Sequence, residues 1–433
     1  MFFLALKQKS TKRRIQGMNI VLINPPLPYD SIGTSGGQRF FPEGLASIAS
    51  ALLHAGHKVR VIDMCTGQQL TSEVCGDAEI FGITGMINQF ANIEDIISRL
   101  RKLNSKAKIL LGGPLVTCAP ELIKQLLDFD LAIIGEGERS VVELLQNPTE
   151  KMVANNNPYL LPKEFVMPAF ELFDLRWYLS GPTWPHYQSV GMAKVVGNLM
   201  VSRGCPRPQN CAFCGQLFGH TMRCKPFNLV EGEIRAWIDA GAQGIRFQDD
   251  NLCQLPPELQ ELVFDLLKKH ELPWVAHSRV DTVSPAKLAR MREAGCRIIY
   301  FGLESFSDQA LSSAGKGATV DEAKRAVELT REAGIKPACF FLIGLPGETR
   351  ASLQAAVKFA RDQQILARPY ILCPIPGTPM FERAKHLITD LRDYLRHCAN
   401  WADRQLADGK LYANLTNLPD DILLEAYREL REL

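Results

Sequence analysis

No stretch of this sequence approaches the roughly 18–20 consecutive apolar residues that a membrane-spanning helix needs, so no membrane span is expected. Charge of one sign is also missing. With 49 Lys and Arg against 47 Asp and Glu, the formal net charge is +2, which gives no general case for nucleic acid or a membrane surface as partner. There is no internal repeat and no low-complexity tract. The start, MFFLALKQKSTKRR, sets its apolar patch before its basic one and offers no small-residue cleavage site, so it does not read as a secretory signal. A flexible leader over residues 1–17 is expected, with Met18 as an alternative start. A cytoplasmic location follows, in which cysteines are reduced thiols or metal ligands rather than disulfides.

What is present is 12 cysteines, unequally placed. Cys65, Cys75, Cys118, Cys296, Cys339, Cys373 and Cys398 lie singly in apolar or helical contexts and read as small buried hydrophobes. Cys224 and Cys253 are harder to assign. Cys205, Cys211 and Cys214 sit together among Pro and Gly in SRGCPRPQNCAFCG.

The length of 433 residues suggests roughly two to four domains. Residues 18–147 alternate strand and helix: NIVLIN, a helix over 41–55, KVRVIDM, EIFGIT, a helix over 93–103, KILLGGP, a helix over 120–127, LAIIGEGE and a helix through 145. That alternation predicts a doubly wound, Rossmann-like parallel sheet. Over 148–193 the periodicity fails amid six Pro, with Trp177, Tyr178, Trp184 and Tyr187 interspersed, which predicts an ordered linker packed across both domains. A second alternating series fills 194–380, with strands KVVGNLMVSRG, GIRFQDD, PWVAHSRV, CRIIYFGLES, KPACFFLIG and RPYILCPIPGT. Six strands and five intervening helices predict a partial (β/α)6 barrel. Residues 381–433 read as a short helical C-terminal region.

Three thiolates in C-x5-C-x2-C suit zinc or an iron–sulfur cluster. A closed zinc site would need a fourth ligand, for which His220 and Cys224 are the candidates. A cluster held by three thiolates leaves one iron open, which is what chemistry requires. The loop follows the first barrel strand, and barrel active sites sit at C-terminal strand ends. At those ends Gln248, Asp249, Asp250, Arg279, Glu304 and Ser305 are expected to face one mouth, with Trp184, His186, Tyr187, His220 and Phe341 as further contacts.

SRGCPRPQNCAFC resembles the cluster loop of the radical SAM superfamily, whose usual spacing is C-x3-C-x2-C. This chain has two more residues between the first two cysteines, and Phe213 holds the family's aromatic position. GIRFQDDN, HSRVDTVSPAKLARMREAGCRIIYFGLES, FFLIGLPGET and CPIPGTPMFERA resemble the later strand–loop elements of the same superfamily. The resemblance implies a [4Fe-4S] cluster on Cys205, Cys211 and Cys214. It implies S-adenosylmethionine bound by Phe213, Gln248, Asp249, Arg279, Glu304 and Ser305 and cleaved to a 5′-deoxyadenosyl radical. It also implies a reductase, flavodoxin or ferredoxin as electron donor.

In the first domain the glycine-rich strand ends suit a large ligand, since glycines allow close backbone approach. None forms G-x-G-x-x-G, and the carboxylates of GEGE would repel a pyrophosphate. INPP, GGQRFFPEGLASIASALLHAGHKVRVID, LLGGP and IIGEGE resemble the cobalamin-binding domain joined to radical SAM barrels. The contacts so implied are Asn24, Pro25, Gly36, Gly37, Arg39, Thr84, Gly85, Gly112, Gly113, Pro114, Gly135, Glu136, Gly137 and Glu138. The D-x-H-x-x-G loop that ligates cobalt from below is absent, so Arg39 or water is expected on the lower face.

The family resemblance implies methylation of an unactivated carbon of a small-molecule substrate, methylcobalamin supplying the methyl group. An oxidative cyclase or ring-rearranging enzyme would use the same cofactors. A non-catalytic cobalamin or cluster sensor would need an output domain that the C-terminal region is too short to provide. No catalytic side chain is assigned.

Overall fold

The computed structural model describes residues 17–27, 39–146, 152–154, 159–181, 185–193, 195–207, 210–215, 217–397 and 401–433. The apolar run NIVLIN is β1 (Asn19–Asn24), the most buried strand of its sheet. Its alternate residues enter different cores: Ile20 and Leu22 one, Val21 and Ile23 the other. A strand covered by helices on both faces demands this. It is joined by β2 (Lys58–Asp63), β3 (Ile80–Thr84), β4 (Lys108–Gly112), β5 (Leu131–Ile134) and β6 (Met152–Ala154) in the parallel order β2-β1-β3-β4-β5-β6. The order reverses between β1 and β3, so their C-terminal ends flank the switch point. β6 lies beyond the boundary expected at 147. Its three residues are too few to show a period.

The strand expected over 194–204 is broken in two. β7 (Val196–Leu199) belongs to the barrel, whereas β8 (Ser202–Arg203) turns away and pairs antiparallel with β9 (Arg223–Cys224). Cys205, Cys211 and Cys214 lie on the excursion between β8 and β9. Five further strands follow: β10 (Gly244–Phe247), β11 (Trp274–Ser278), β12 (Cys296–Glu304), β13 (Lys336–Ile343) and β14 (Leu366–Ile371). With β7 they form a parallel sheet in sequential order whose ends do not pair among the described residues, an open six-stranded barrel. Helix Phe227–Ala240 lies close on β7 because Gly197 has no side chain. A Cβ there would stand 2.6 Å from the Trp237 ring.

The linker and the C-terminal region join the two domains. Phe170 stacks on Phe41 of the first domain and meets Trp237 of the barrel edge-on. Helix Asp420–Arg431 buries Leu423, Leu424, Tyr427 and Leu430 in the barrel-side core. Helix Leu391–His397 instead packs Tyr394 and Leu395 into the first domain, where Arg396 pairs with Glu94 at 2.7 Å. The C-terminal region is thus a clamp across both domains. No helix among the described residues is long and apolar enough to cross a membrane.

Candidate active site

The cluster loop is held at its root by Asp249. This carboxylate is fully buried and accepts from Val201 N at 3.1 Å, Ser202 N at 2.6 Å and Ser202 Oγ at 2.6 Å. Burial lifts its carboxyl to about 6 against the pull of these donors. Its neighbour Asp250 opens into the mouth and accepts from Gly204 N. Gly204 turns at φ +102°, beside the carbonyl of Thr221, a position closed to any side chain.

Within the loop, Cys205 N donates to Gly219 O at 3.0 Å, and Cys214 N donates to Cys211 O at 3.0 Å. Between them, Ala212 N donates to Ala314 O and Met380 N to Ala212 O, both at 2.8 Å. The loop is therefore stitched to the segment after β12 and to the start of helix Pro379–Ala384. Cys205 and Cys211 are half-buried and Cys214 is exposed, whereas Cys75, Cys253, Cys296 and Cys339 are buried. The Cys205 thiol is raised first by burial and then by Asp250, with Arg279 and Arg207 pulling the other way. Burial pushes Cys224 up to about 11, and Cys253 packs on the Met291 sulfur.

Among the described residues no group of three His, Cys, Asp or Glu is gathered tightly enough for a single metal ion. Three accessible thiols spread along one loop are soft donors for separate irons of a cluster, and they fit that group better than a closed tetrahedral zinc site.

The mouth residues divide into two sets. Gln248 donates to Asn198 Oδ1 at 3.1 Å, Arg279 pairs with Asp281, and Glu304 pairs with Lys316 at 2.7 Å. Glu304 has φ +70°, a left-handed conformation rare for a non-glycine residue. Gly302 makes room for its ion pair, because a Cβ there would meet Glu304 Oε1 and Lys316 Nζ, each at 2.6 Å. Lys316 Nζ also stands 6.0 Å from the Phe213 ring centre. The other set is engaged with the protein itself. Asp249 is committed to the root of the loop. Ser305 is buried and donates to Glu348 Oε1 at 2.8 Å, and Glu348, lifted to about 7 by burial, also accepts from Gly344 N.

Three expected contacts of the mouth need correction. Phe341 is buried in the core outside the barrel, and its neighbour Phe340 points inward instead. His186 and Tyr187 sit inside the barrel, where His186 Nε2 lies 3.1 Å from Tyr300 Oη and Arg246 reaches Tyr187 Oη at 2.9 Å. His220 is exposed, and Trp184 lies outside the described residues. An inner cluster of His277, Tyr300, Phe340 and Tyr370 was not anticipated. Burial, then nearby arginines, holds His186 near 3, and burial and Arg246 hold His277 near 4, so both are neutral. Period-two patterning assigns these positions to an inner face, but not to each other.

In the first domain, Asn24 is buried and donates to Asp63 Oδ1 at 2.8 Å, and Tyr178 of the linker donates to Asp63 Oδ2. Pro25 presents its carbonyl to Gln89. Arg39 donates to Trp177 O at 2.6 Å and Ser180 Oγ at 2.7 Å, its guanidinium stacked on Trp177 at 3.9 Å. A Cβ on Gly85 would strike Ile93. One on Gly113, at φ +85°, would approach the Thr84 hydroxyl. One on Gly112 would meet nothing, so the end of β4 borders open space. Met86, two residues beyond the end of β3, exposes 43% of its surface, an apolar group at these strand ends of the kind that a corrin ring can cover. Gly36 and Gly37 lie outside the described residues.

Glu136 and Glu138 do not face that space. Both are buried in ion pairs to the barrel: Glu138 Oε1 with Arg203 Nη2 at 2.8 Å, and Glu136 with Arg223 at 2.7 Å and Arg203 at 3.3 Å. Gly137 is filled by Ile48, and Gly135 N donates to Thr117 Oγ1. Lys225 adds a third link, to Glu43 of the first domain at 2.8 Å and Glu233 of the barrel at 2.6 Å. These charges join the domains, and their neutralisation explains their burial. Helix Pro114–Cys118 after β4 meets the cluster loop directly: a Cβ on Gly215 would stand 2.9 Å from Cys118 Sγ. A basic cleft of about 390 Å3 lined by Arg292, Arg297, Arg331 and Lys336 opens at the opposite end of the barrel.

Residues 199–360 match the radical SAM superfamily, and residues 30–145 match the B12 binding domain. The chain is 29% identical over 399 residues to an uncharacterized methyltransferase of Pyrococcus horikoshii, covering 85% of this chain and 83% of that protein. It is 25% identical over 392 residues to the anaerobic magnesium-protoporphyrin IX monomethyl ester cyclase of Rubrivivax gelatinosus, covering 84% and 70%. The fold superposes with a TM-score of 0.64 on the radical S-adenosylmethionine methyltransferase TsrM from Kitasatospora setae with cobalamin and a [4Fe-4S] cluster bound, at 17% identity, covering 86% and 78%.

Proposed function

The chain belongs to the radical SAM enzymes that carry a B12-binding domain, and from that premise we propose that it methylates an unactivated carbon of a small-molecule substrate. The observation that carries this reading is the contact of the two strand-end surfaces. Cys118, at the end of the helix that follows β4, packs between Gly215 of the cluster loop and Gly377 after β14. Ligands on the two surfaces would therefore face each other across one enclosed space, as a shared substrate requires. When bound, S-adenosylmethionine at the reduced cluster supplies a carbon-centred radical, and cobalamin supplies the methyl group.

The residues of this chain bind, orient and shield. Cys205, Cys211 and Cys214 hold the cluster. Phe213, Gln248, Arg279 and Glu304 line the S-adenosylmethionine site, with Asp249 and Ser305 supporting it from behind. Asn24, Pro25, Arg39, Thr84, Gly85, Gly112, Gly113 and Pro114 border the cobalamin space. The neutral His186 and His277 among aromatic rings keep the barrel interior free of extra charge. We place the enzyme in the cytoplasm, with a reductase, flavodoxin or ferredoxin as electron donor. The similarity to a cyclase supports a second outcome, oxidative cyclisation without methyl transfer.

Anaerobically purified protein is expected to hold about four irons per chain. C205A, C211A and C214A lose them and C224A keeps them. With S-adenosylmethionine bearing a deuterated methyl group, reductant and cobalamin, 5′-deoxyadenosine forms and the label enters the substrate product. Colourless protein carrying one zinc overturns the cluster reading. A dehydrogenated, unlabelled product establishes the cyclase outcome instead.

A further inference from the structure

Of the cationic side chains beside the cluster loop, Arg279 is neutralised by Asp281, Lys316 by Glu304, and Arg203 and Arg223 by Glu136 and Glu138. Arg207 differs from these. It lies within the five residues between Cys205 and Cys211, the stretch in which this chain is longer than the usual C-x3-C spacing. Its backbone N–H donates to Cys205 O at 2.7 Å. Its guanidinium Nη1 donates to Cys211 Sγ at 3.2 Å. The guanidinium is seated over Gly317, where a Cβ would come within 2.2 Å of Nη2. Gly317 adopts φ +61°, so the position is closed to other residues both by conformation and by space. Among the described residues Arg207 forms no ion pair, so its positive charge is directed at a sulfur.

We infer that Arg207 donates a charge-assisted hydrogen bond to the cluster-bound sulfur of Cys211 and raises the reduction potential of the [4Fe-4S] cluster. The inference rests on the cluster reading above. Reduction adds one electron to the cluster, which makes it more negative. A fixed positive charge and an N–H donor at a ligand sulfur therefore stabilise the reduced form more than the oxidised one. Half-burial of Cys211 limits screening by solvent and salt. The extra loop length has a chemical use on this view, since it brings a cation back onto the second cysteine of its own motif.

The test is a redox titration of the reconstituted holoenzyme, followed by electron paramagnetic resonance, for wild type, Arg207→Gln and Arg207→Lys. Iron content is measured in parallel. With iron retained, Arg207→Gln is expected to lower the equilibrium constant for one-electron reduction about tenfold, a midpoint about 59 mV more negative. Arg207→Lys keeps the charge without the fixed fork and is expected to fall between the two. Equal midpoints for wild type and Arg207→Gln at equal iron content overturn the inference. Should Arg207→Gln fail to retain iron, an Arg207→Lys midpoint at or above wild type overturns it. Wild-type protein without a four-iron cluster defeats the functional reading itself, a result distinct from an unshifted potential.

Discussion

Replacing Glu136 with Gln tests whether the two domains are held in register by buried charge. Glu136 Oε2 accepts from Leu160 N at 2.8 Å and Arg223 Nη1 at 2.9 Å, and lies 3.3 Å from Arg203 Nη1. Its Oε1 stands 2.7 Å from Arg223 Nη2, a charge contact without hydrogen-bond alignment. The side chains of Glu136, Arg203 and Arg223 keep 2%, 6% and 8% of their surface. In Glu136→Gln one oxygen can still accept, but the amide NH2 faces a guanidinium. Arg203 then relies on Glu138, and Arg223 on the carbonyls of Leu160 and Phe218. Breaking one side of a buried ion pair costs about 3–5 kcal/mol, against about 0–1 kcal/mol for an exposed pair. The remaining anion and carbonyls put the expected loss at the lower end, about 3 kcal/mol. Urea unfolding followed by tryptophan fluorescence measures it, since Trp237 lies near this interface. At a slope of about 3 kcal/mol per molar urea, the midpoint falls by about 1 M. Glu136→Gln with Arg223→Gln should cost less than the sum of the single changes. A single-mutant loss below about 1 kcal/mol, or simple additivity, refutes the argument that these charges fix the domains.

Glu348 carries a pH signature. Burial holds its carboxyl near 7, above the ordinary 4.5, so the folded state binds the proton more tightly than the unfolded state does. Its contribution is therefore most favourable below pH 4.5 and is lost as pH rises towards 7, by up to about 3 kcal/mol for the 2.5-unit gap. Glu348→Gln should flatten the stability profile over that window, and an unchanged slope in urea unfolding at several pH values counts against it. Gly302→Ala should push the Glu304–Lys316 pair out of place, raising the KM for S-adenosylmethionine in 5′-deoxyadenosine formation about tenfold, or 1.4 kcal/mol, with iron content unchanged. An unaltered KM would mean that the pair does not border that site.

Periodicity carries the fold well because each helix of the barrel must bury one face on the sheet. The five helices expected between the barrel strands occur at Phe227–Ala240, Pro257–Lys269, Pro285–Glu293, Val320–Glu332 and Arg350–Asp362. The break between β7 and β8 escaped, because KVVGNLMVSRG reads as one apolar strand and the group that bends it, Asp249, is 47 residues away from Ser202. The same distance effect governs the site. Strand-end position correctly marks where charged residues collect, but not which way they point. Glu136 and Glu138 meet arginines 87 and 65 residues further on, and Ser305 meets Glu348 across 43 residues, pairings that no local pattern encodes.

These long-range partners have one consequence in common. Asp249 and Glu138 hold Ser202 and Arg203 of β8, Glu136 holds Arg223 of β9, and the backbone of Ala314 and Met380 fixes the middle of the loop. The segment bearing Cys205, Cys211 and Cys214 is thereby anchored by both domains while none of its thiols is fully buried. A cluster ligand set has to be held by groups other than the ligands themselves, since each thiolate is committed to iron. The buried charges that sequence position would assign to cofactor contact are the groups that do the holding. Loss of any one should therefore disturb cluster retention and domain docking together, whereas loss of a cysteine should remove the iron and leave the docking charges paired.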